Sequence, residues 1–406
     1  MKQPLMKKTV CIISFSEISR DSRVLREIEM ARRHFKVHVI GYGAWQPPQG
    51  VRFSRLEKNT RSFSYLAKYY LLLISGRLAP QAYNAAFWLK PEYRQAADLI
   101  RQGSFDLIHA NDWDSLPVAV EGAARTDTRI LFDAHEFSPE QESNRPAWRV
   151  FVKPFKSYLF RRYLDKADRM ITVSSGIRDL YTRQFRLTPQ IILNTTAYQN
   201  TQFHPVRYDK INIVHHGHAI PGRYLEEMVR MIALTDNRYQ LNFVLVSKDD
   251  DQYIQKLKKL AQSVAPNKVV FWEPVPTSEI INFIQRFDLG LPLLRVRQIN
   301  HTNSLPNKFF DFIMAGLGIL VSPLPSMMEV ITANDIGKIS ASQTAADMAA
   351  MVNALSVEEI NKFKRNSLKL AKVFNAEREM DKLLLIYRSL LNEQPAKISA
   401  NIKTEN

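Results

Sequence analysis

The stretch Thr9–Ile40 reads TVCIISFSEISRDSRVLREIEMARRHFKVHVI. Its apolar, β-branched opening Thr9–Ser14 predicts a strand. Arg23–Arg33 places Val24, Leu25, Ile28 and Ala31 on one helical face, and Lys36–Ile40 predicts a second strand. Strand, helix, strand in so short a span is the unit of a parallel sheet covered by helices. The alternation continues through strands expected at Leu107–Ala110, Arg129–Asp133, Met170–Val173 and Gln190–Leu193. It breaks in the polar, turn-rich segment Asn194–Tyr208, which contains Asn200 and Pro205. It then restarts with strands expected at Ile211–His215, Asn242–Val246, Val269–Trp272, Leu289–Leu293 and Gly318–Val321. Helices are expected between them at Tyr224–Leu234, Tyr253–Ala265, Thr277–Arg286 (capped by Thr277 or Ser278) and Lys308–Ala315. A helical pattern runs from Met348 to about Asn392.

The pattern predicts an α/β chain of two doubly wound domains, 1–198 and 209–375. Residues 376–395 are expected to form a helix that packs back on the first domain, with 396–406 as a polar tail. Two such domains facing across a cleft bring together the carboxyl ends of two sheets, where open α/β sheets bind ligands.

The 406 residues, 45% hydrophobic and 24% charged, are those of a folded chain of about two domains. Cys11 is the single cysteine and lies in an apolar strand, which excludes a disulfide framework and a cysteine-rich metal site within the chain. The apolar stretch Val10–Phe15 is too short for a signal-peptide core. The longest other apolar run, Tyr69–Ile74, is far below the ~20 residues of a membrane span. The expected location is the cytoplasm, with peripheral contact at the inner face of the membrane. Lys and Arg outnumber Asp and Glu by 56 to 40, a net charge of +16 that favours an anionic partner. No nucleic-acid reader motif accompanies the charge, and no Gly-x-Gly-x-x-Gly follows the first strand, which disfavours nucleic acid and dinucleotide cofactors. Two basic, aromatic-rich segments, Arg61–Arg77 and Trp148–Lys166, suit either an anionic membrane surface or core helices with basic outer faces.

The most specific chemistry lies in Ser304, Leu305, Pro306, Asn307, Lys308, Phe309, Phe310 and Asp311, running on to Gly316. A helix starting there offers free N–H groups and a partial positive charge to an anion, with Lys308 adding a full charge and Asp311 a carboxylate on the same face. Its plain alternative is a core helix with a surface lysine. This segment resembles the donor-site element of family 4 glycosyltransferases, whose GT-B fold consists of two Rossmann-like domains. The resemblance implies a retaining transfer of a sugar from a nucleoside-diphosphate sugar to a glycan or lipid-linked acceptor in surface polysaccharide synthesis. It implies no cofactor and no metal. The family carries two glutamates where this chain has Asn303 and Asp311. Asp311 keeps a carboxylate for the ribose, whereas Asn303 leaves the identity of the sugar open.

Further loops resemble the same family. His216–Arg223 contains Gly217 for close backbone approach and Arg223 for the diphosphate leaving group; with Lys308 and His135 these form the implied catalytic set. His215, His216 and His218 have no carboxylate spaced to complete a metal site. Phe132–Phe137 resembles the Asp-x-His-Glu run, so that His135 positions the donor sugar and Glu136 meets the acceptor; a structural histidine is the alternative. His109–Asp114 supplies Asn111 and Asp112 to the rim, Asp112 alternatively capping the next helix. Ser16, Arg20, Asp21 and Arg23 follow the first strand, with Arg20 and Arg23 expected to meet donor phosphates or an anionic acceptor. Glu273 and Val275 are expected to hold the base through backbone groups. Two rival readings of the same residues are a nucleotide-sugar epimerase and a catalytically silent scaffold subunit, the latter suggested by Asn303 and Asp311.

Overall fold

The structure, a computed structural model, describes residues 7–58, 62–247, 251–294 and 299–392. The chain divides into two compact units. The first comprises Met1–Thr172, Tyr181–Ile192 and Met380–Asn406, and the second Val173–Leu180 and Leu193–Glu379.

Among the described residues, unit 1 holds seven strands: β1 (Thr9–Glu17), β2 (Lys36–Tyr42), β3 (Val51–Leu56), β4 (Leu107–Asn111), β5 (Arg129–Ala134), β6 (Arg169–Thr172) and β7 (Gln190–Ile191). They form one parallel sheet in the order β3-β2-β1-β4-β5-β6-β7. The helix Ser22–His34 starts where the Asp21 carboxylate accepts the Val24 N–H at 3.2 Å, and ends on Arg32, Arg33 and His34, favourable at the negative end of a helix. Its buried face, Val24, Ile28 and Ala31, packs with Val10, Ile12, Leu107, Leu131 and Ile171 of the sheet. Leu383 and Tyr387 of the helix Ala376–Leu390 close the same core.

Unit 2 holds β8 (Ile211–His218), β9 (Tyr239–Val246), β10 (Val269–Trp272), β11 (Leu289–Gly290), β12 (Gly318–Val321) and β13 (Gly337–Ile339). The order β10-β9-β8-β11-β12-β13 is again parallel, and within its own unit it repeats the 3-2-1-4-5-6 order of unit 1. Successive strand residues face opposite ways. Ile211, Ile213, Leu241 and Phe243 therefore build one core with Leu225, Met228 and Ile232. Val214, Val244, Ile319 and Val321 build another with Phe309, Phe312 and Ile313. Gly316, at φ +69°, ends the helix Asn307–Met314 in the left-handed region, and a Cβ there would stand 2.6 Å from Leu368.

Several expectations need correction. β3 and β13, both at sheet edges, were not foreseen: VRFSRL and GKI are too polar or too short for a periodic signal. β11 stops at Gly290 rather than Leu293, because Pro292 brings no N–H to a ladder. Thr277 and Ser278 cap nothing; they lie within a 3-10 turn, Thr277–Glu279, that leads into the helix Ile280–Ile284. The helix Lys153–Tyr163 buries Phe155, Leu159, Phe160 and even Lys156 and leaves Arg161 and Arg162 exposed, so it is a core helix with a basic outer face. The helix Phe63–Ser75 is the opposite case: it buries only Leu73 and leaves Phe63, Tyr70, Leu71 and Ile74 exposed, with Leu78 just beyond. No described helix is long and apolar enough to cross a membrane.

Candidate functional site

In each unit the strand order turns back at one pair of strands, and the loops following that pair and neighbouring strands carry the candidate residues.

In unit 1 the pair is β1 and β4. Asp133 lies near the end of β5 and His135 in the bend immediately after it. The His135 Nε2 lies 3.2 Å from Asn111 Oδ1 and 3.5 Å from Asp133 Oδ2. Both oxygens accept, so the ring turns an N–H toward them. Behind Asp133 is a fully buried polar cluster. Arg23 donates from Nε to Asp133 Oδ2 at 2.6 Å and from Nη1 to the Ile192 carbonyl at 3.0 Å. Glu27 Oε1 stands 3.3 Å from Arg23, and His109 Nδ1 is 2.7 Å from the Tyr387 hydroxyl. Burial disfavours both charged forms, yet Arg23 and the two histidines hold Asp133 well below the usual carboxylate range. For His135, burial is likewise outweighed by Asp133, and the ring is pushed up to about 9. Glu27, His109 and Asp133 offer ligand atoms within 4.8 Å of one another, but Asp133 already binds a cation, the Arg23 guanidinium.

Arg23 is therefore not on the rim. It is buried and binds the strand end that carries His135, a correction to its expected contact with phosphates. Asp21 is the helix cap described above. Arg20 is exposed beside Glu17, and the Ser16 hydroxyl is 2.9 Å from that of Ser14. Asn111 is buried rather than at the rim. Asp112, at φ +66°, does not cap the next helix. Its carboxylate accepts the Trp113 N–H at 2.7 Å, and the cap position falls on Asp114, which accepts from the Tyr93 hydroxyl at 2.8 Å. Glu136 is pushed up to about 7, first by burial and then by Asp112. Lys156 answers this acidic loop: its ammonium donates to Gln141 at 2.6 Å and sits 4.2 Å from the Trp113 ring and 4.9 Å from that of Trp148. Burial brings Lys156 down to about 8 against the pull of Asp112, Glu136, Asp114 and Glu142.

In unit 2 the pair is β8 and β11. Lys308, in the first turn of the helix Asn307–Met314, is 9% exposed and reaches His215 Nε2 at 3.1 Å. Pro306 precedes that helix and no side chain caps it, while the Phe309 N–H donates to the Pro306 carbonyl at 2.9 Å. Gly217, at φ +129°, lies beside the ammonium: a Cβ there would stand 3.1 Å from Lys308 Nζ. Burial, then the nearby Arg223, bring Lys308 down to about 7, with Asp311 opposing. Asp311 Oδ2 also stands 3.4 Å from His216 Nε2. Asn307 accepts from Asn194 at 3.0 Å, Ser304 donates to the His301 carbonyl at 3.4 Å, and Leu305 is buried. Asn303 donates back to the Ile299 carbonyl at 2.7 Å, while its own carbonyl accepts from Ser174 and Ser326. Its amide thus finishes a helix turn at the position of the family's carboxylate. Glu273 is exposed beyond β10, and Val275 packs partly against the core beneath the helix of Lys308.

Two elements escaped the sequence reading. The Arg23–Asp133 pair joins positions 110 residues apart, although the two-residue spacing of Asp133 and His135 at a strand end was a usable signal. Lys156 was assigned to a membrane face because nothing local in the sequence places Trp113 over it.

Comparison with known proteins follows the same lines. The family model described as Glycosyltransferase Family 4 matches residues 28–194. Curated protein sequences give no match. Among solved structures, sucrose-phosphate synthase from Thermosynechococcus elongatus is similar with a TM-score of 0.69 at 13% identity, over 95% of this chain and 100% of that one. A glycosyltransferase from Rickettsia africae gives 0.66 at 13%, over 96% and 100%. HepE from Anabaena, solved in complex with UDP and glucose, gives 0.65 at 13%, over 94% and 100%. At such identities the likeness is one of fold. The chain therefore has the GT-B fold of these structures, and its residues 28–194 match the model of Glycosyltransferase Family 4.

Proposed function

We propose that the chain transfers a sugar, with retention, from a uridine-diphosphate sugar to a glycan or lipid-linked acceptor in surface polysaccharide assembly. Unit 2 holds the donor: Lys308, Arg223 and the uncapped first turn of Asn307–Met314 take the diphosphate, Gly217 lets it approach, and Asp311 accepts the ribose hydroxyls. The Glu273–Val275 backbone holds the base. The observation that carries this reading is the Lys308 ammonium, buried against a neutral imidazole instead of a carboxylate. Among the described residues its nearby carboxylate, Asp311, is shared with His216, which fits a site whose further anion is the ligand. The HepE structure, bound with UDP and glucose, favours uridine as the base.

Arg223 and Lys308 stabilise the departing diphosphate, the group on which charge develops, and do so without a metal ion. His135, charged and aimed by Asp133, positions the donor sugar, while Glu136 faces the acceptor. In retention the leaving phosphate assists acceptor attack on the same face, which requires no protein nucleophile. The exposed side chains Phe63, Leu71, Ile74 and Leu78 support contact with a membrane that carries a lipid-linked acceptor. Calorimetric titration with UDP tests the assignment. Lys308→Ala and Arg223→Ala should each weaken binding by about 1.5–3 kcal/mol, the worth of a charge-assisted contact. Unchanged affinity in both folded variants would refute the donor site.

A further inference from the structure

His215 is completely buried, with its ring edge-on to Phe243. Its Nδ1 lies 2.7 Å from the Leu291 carbonyl, which can only accept. The Nδ1 therefore carries the proton, and Nε2 presents a lone pair to Lys308 at 3.1 Å. Burial and then Lys308 hold His215 far below the usual histidine range, so the ring stays neutral. His216, next along β8, is also neutral, brought down to about 3 by burial and then by Lys308.

Among the described residues, the charges that act on Lys308 are Arg223 and Asp311. Arg223 lies on the loop before the helix Leu225–Ala233, and Asp311 is on the lysine's own helix, shared with His216. The helix Ile280–Ile284 and strands β11 and β12, which pack on the helix of Lys308, carry no charged residue. The helix Val357–Ala371 packs there too, but its buried charge, Lys364, is spent on Asp288 at 3.0 Å. The amine thus faces a neutral acceptor and a second cation, with one partly engaged carboxylate on its side. Burial and Arg223 accordingly bring it down to about 7.

We propose that His215 is a positioning residue that presents Lys308 to the donor diphosphate, and that diphosphate binding brings one proton from solvent onto the Lys308 amine. The inference rests on the donor reading above. Chemically, the amine lone pair takes up H⁺ from water, the buffer replaces it, and no other bond changes. His215 fits this task because its Nε2 accepts from either form of the amine and so keeps the side chain aimed in both.

The experiment is calorimetric titration of the full chain with UDP at pH 8.0 in three buffers of different ionisation enthalpy; the slope gives the protons exchanged. The phosphate's last ionisation, near 6, is complete at that pH, so the diphosphate contributes little. An amine titrating at about 7 is roughly nine-tenths deprotonated at pH 8, which predicts uptake of ~0.9 proton per UDP bound. Lys308→Arg, which stays charged, should bind UDP with no uptake. His215→Phe should weaken binding at least several-fold, and His215→Gln, which restores an acceptor, should recover most of the affinity. Binding of UDP with no proton exchange overturns the coupling, and full affinity in folded His215→Phe overturns the positioning role. If UDP, GDP, ADP, CDP and dTDP all fail to bind, the donor reading fails and takes this inference with it.

Discussion

The charge state of His135 can be read directly. An ordinary histidine titrates near 6.5, whereas Asp133, overcoming burial, pushes this ring up to about 9. A displacement of that size corresponds to roughly 3 kcal/mol of preference for the charged ring in the folded state. The sign follows from linkage: for a group raised on folding, the stabilisation is complete below the unfolded value and is lost as pH rises through the folded one. Unit 1 should therefore lose about 3 kcal/mol between pH 6.5 and pH 9.5 that a His135→Gln variant does not lose. Histidine labelled with ¹³C at Cε1 gives the titration of His135 by NMR, identified by its absence in His135→Gln; urea unfolding of both proteins at each pH gives the stability difference. Asp133→Asn, if it folds, should return the ring to the ordinary range or below. A His135 that titrates at or below 6.5 in the wild type would refute the claim that Asp133 keeps it charged.

Other consequences can be checked independently. Lys364 is buried on Asp288 at 3.0 Å and on the Phe287 carbonyl at 3.1 Å, so Lys364→Met should leave a buried carboxylate and destabilise unit 2 by about 3–5 kcal/mol in urea unfolding. Gly316→Ala should cost at least ~1–2 kcal/mol from the left-handed backbone alone, more as its methyl meets Leu368; an unchanged unfolding midpoint would contradict the described turn. Replacing Phe63, Leu71, Ile74 and Leu78 by Ser should abolish the salt-resistant part of co-sedimentation with anionic vesicles. Glu at Lys153, Arg161 and Arg162 should change only the salt-sensitive part, and no binding by the wild type at low salt would remove the membrane from the proposal.

Local chemistry carried a large part of this protein. The βαβ alternation beginning at Thr9–Ile40, the break at Asn194–Tyr208 and the restart at Ile211 are periodic signals, and a period is a property of consecutive residues. They were sufficient for two parallel sheets and for the placement of most strands, with errors at ends and edges where Pro292 or a short polar strand weakens the pattern. The loops after strands were legible for the same reason, since in a doubly wound sheet the ligand-bearing positions follow strand ends.

The partners of those loop residues were not legible. Arg23 reads as an exposed base beside Arg20, and only packing of the helix Ser22–His34 on the sheet puts it onto Asp133. Lys156 reads as one more positive charge in a basic helix until Trp113, Trp148 and Gln141 close around it. His215 reads as one of three histidines, and only the Leu291 carbonyl fixes which of its nitrogens faces Lys308. The physical reason is common to all three. Burial and pairing are sums over residues distant in sequence, and the same side chain is a solvated surface charge or an aimed functional group depending on what the rest of the chain brings within about 3 Å of it.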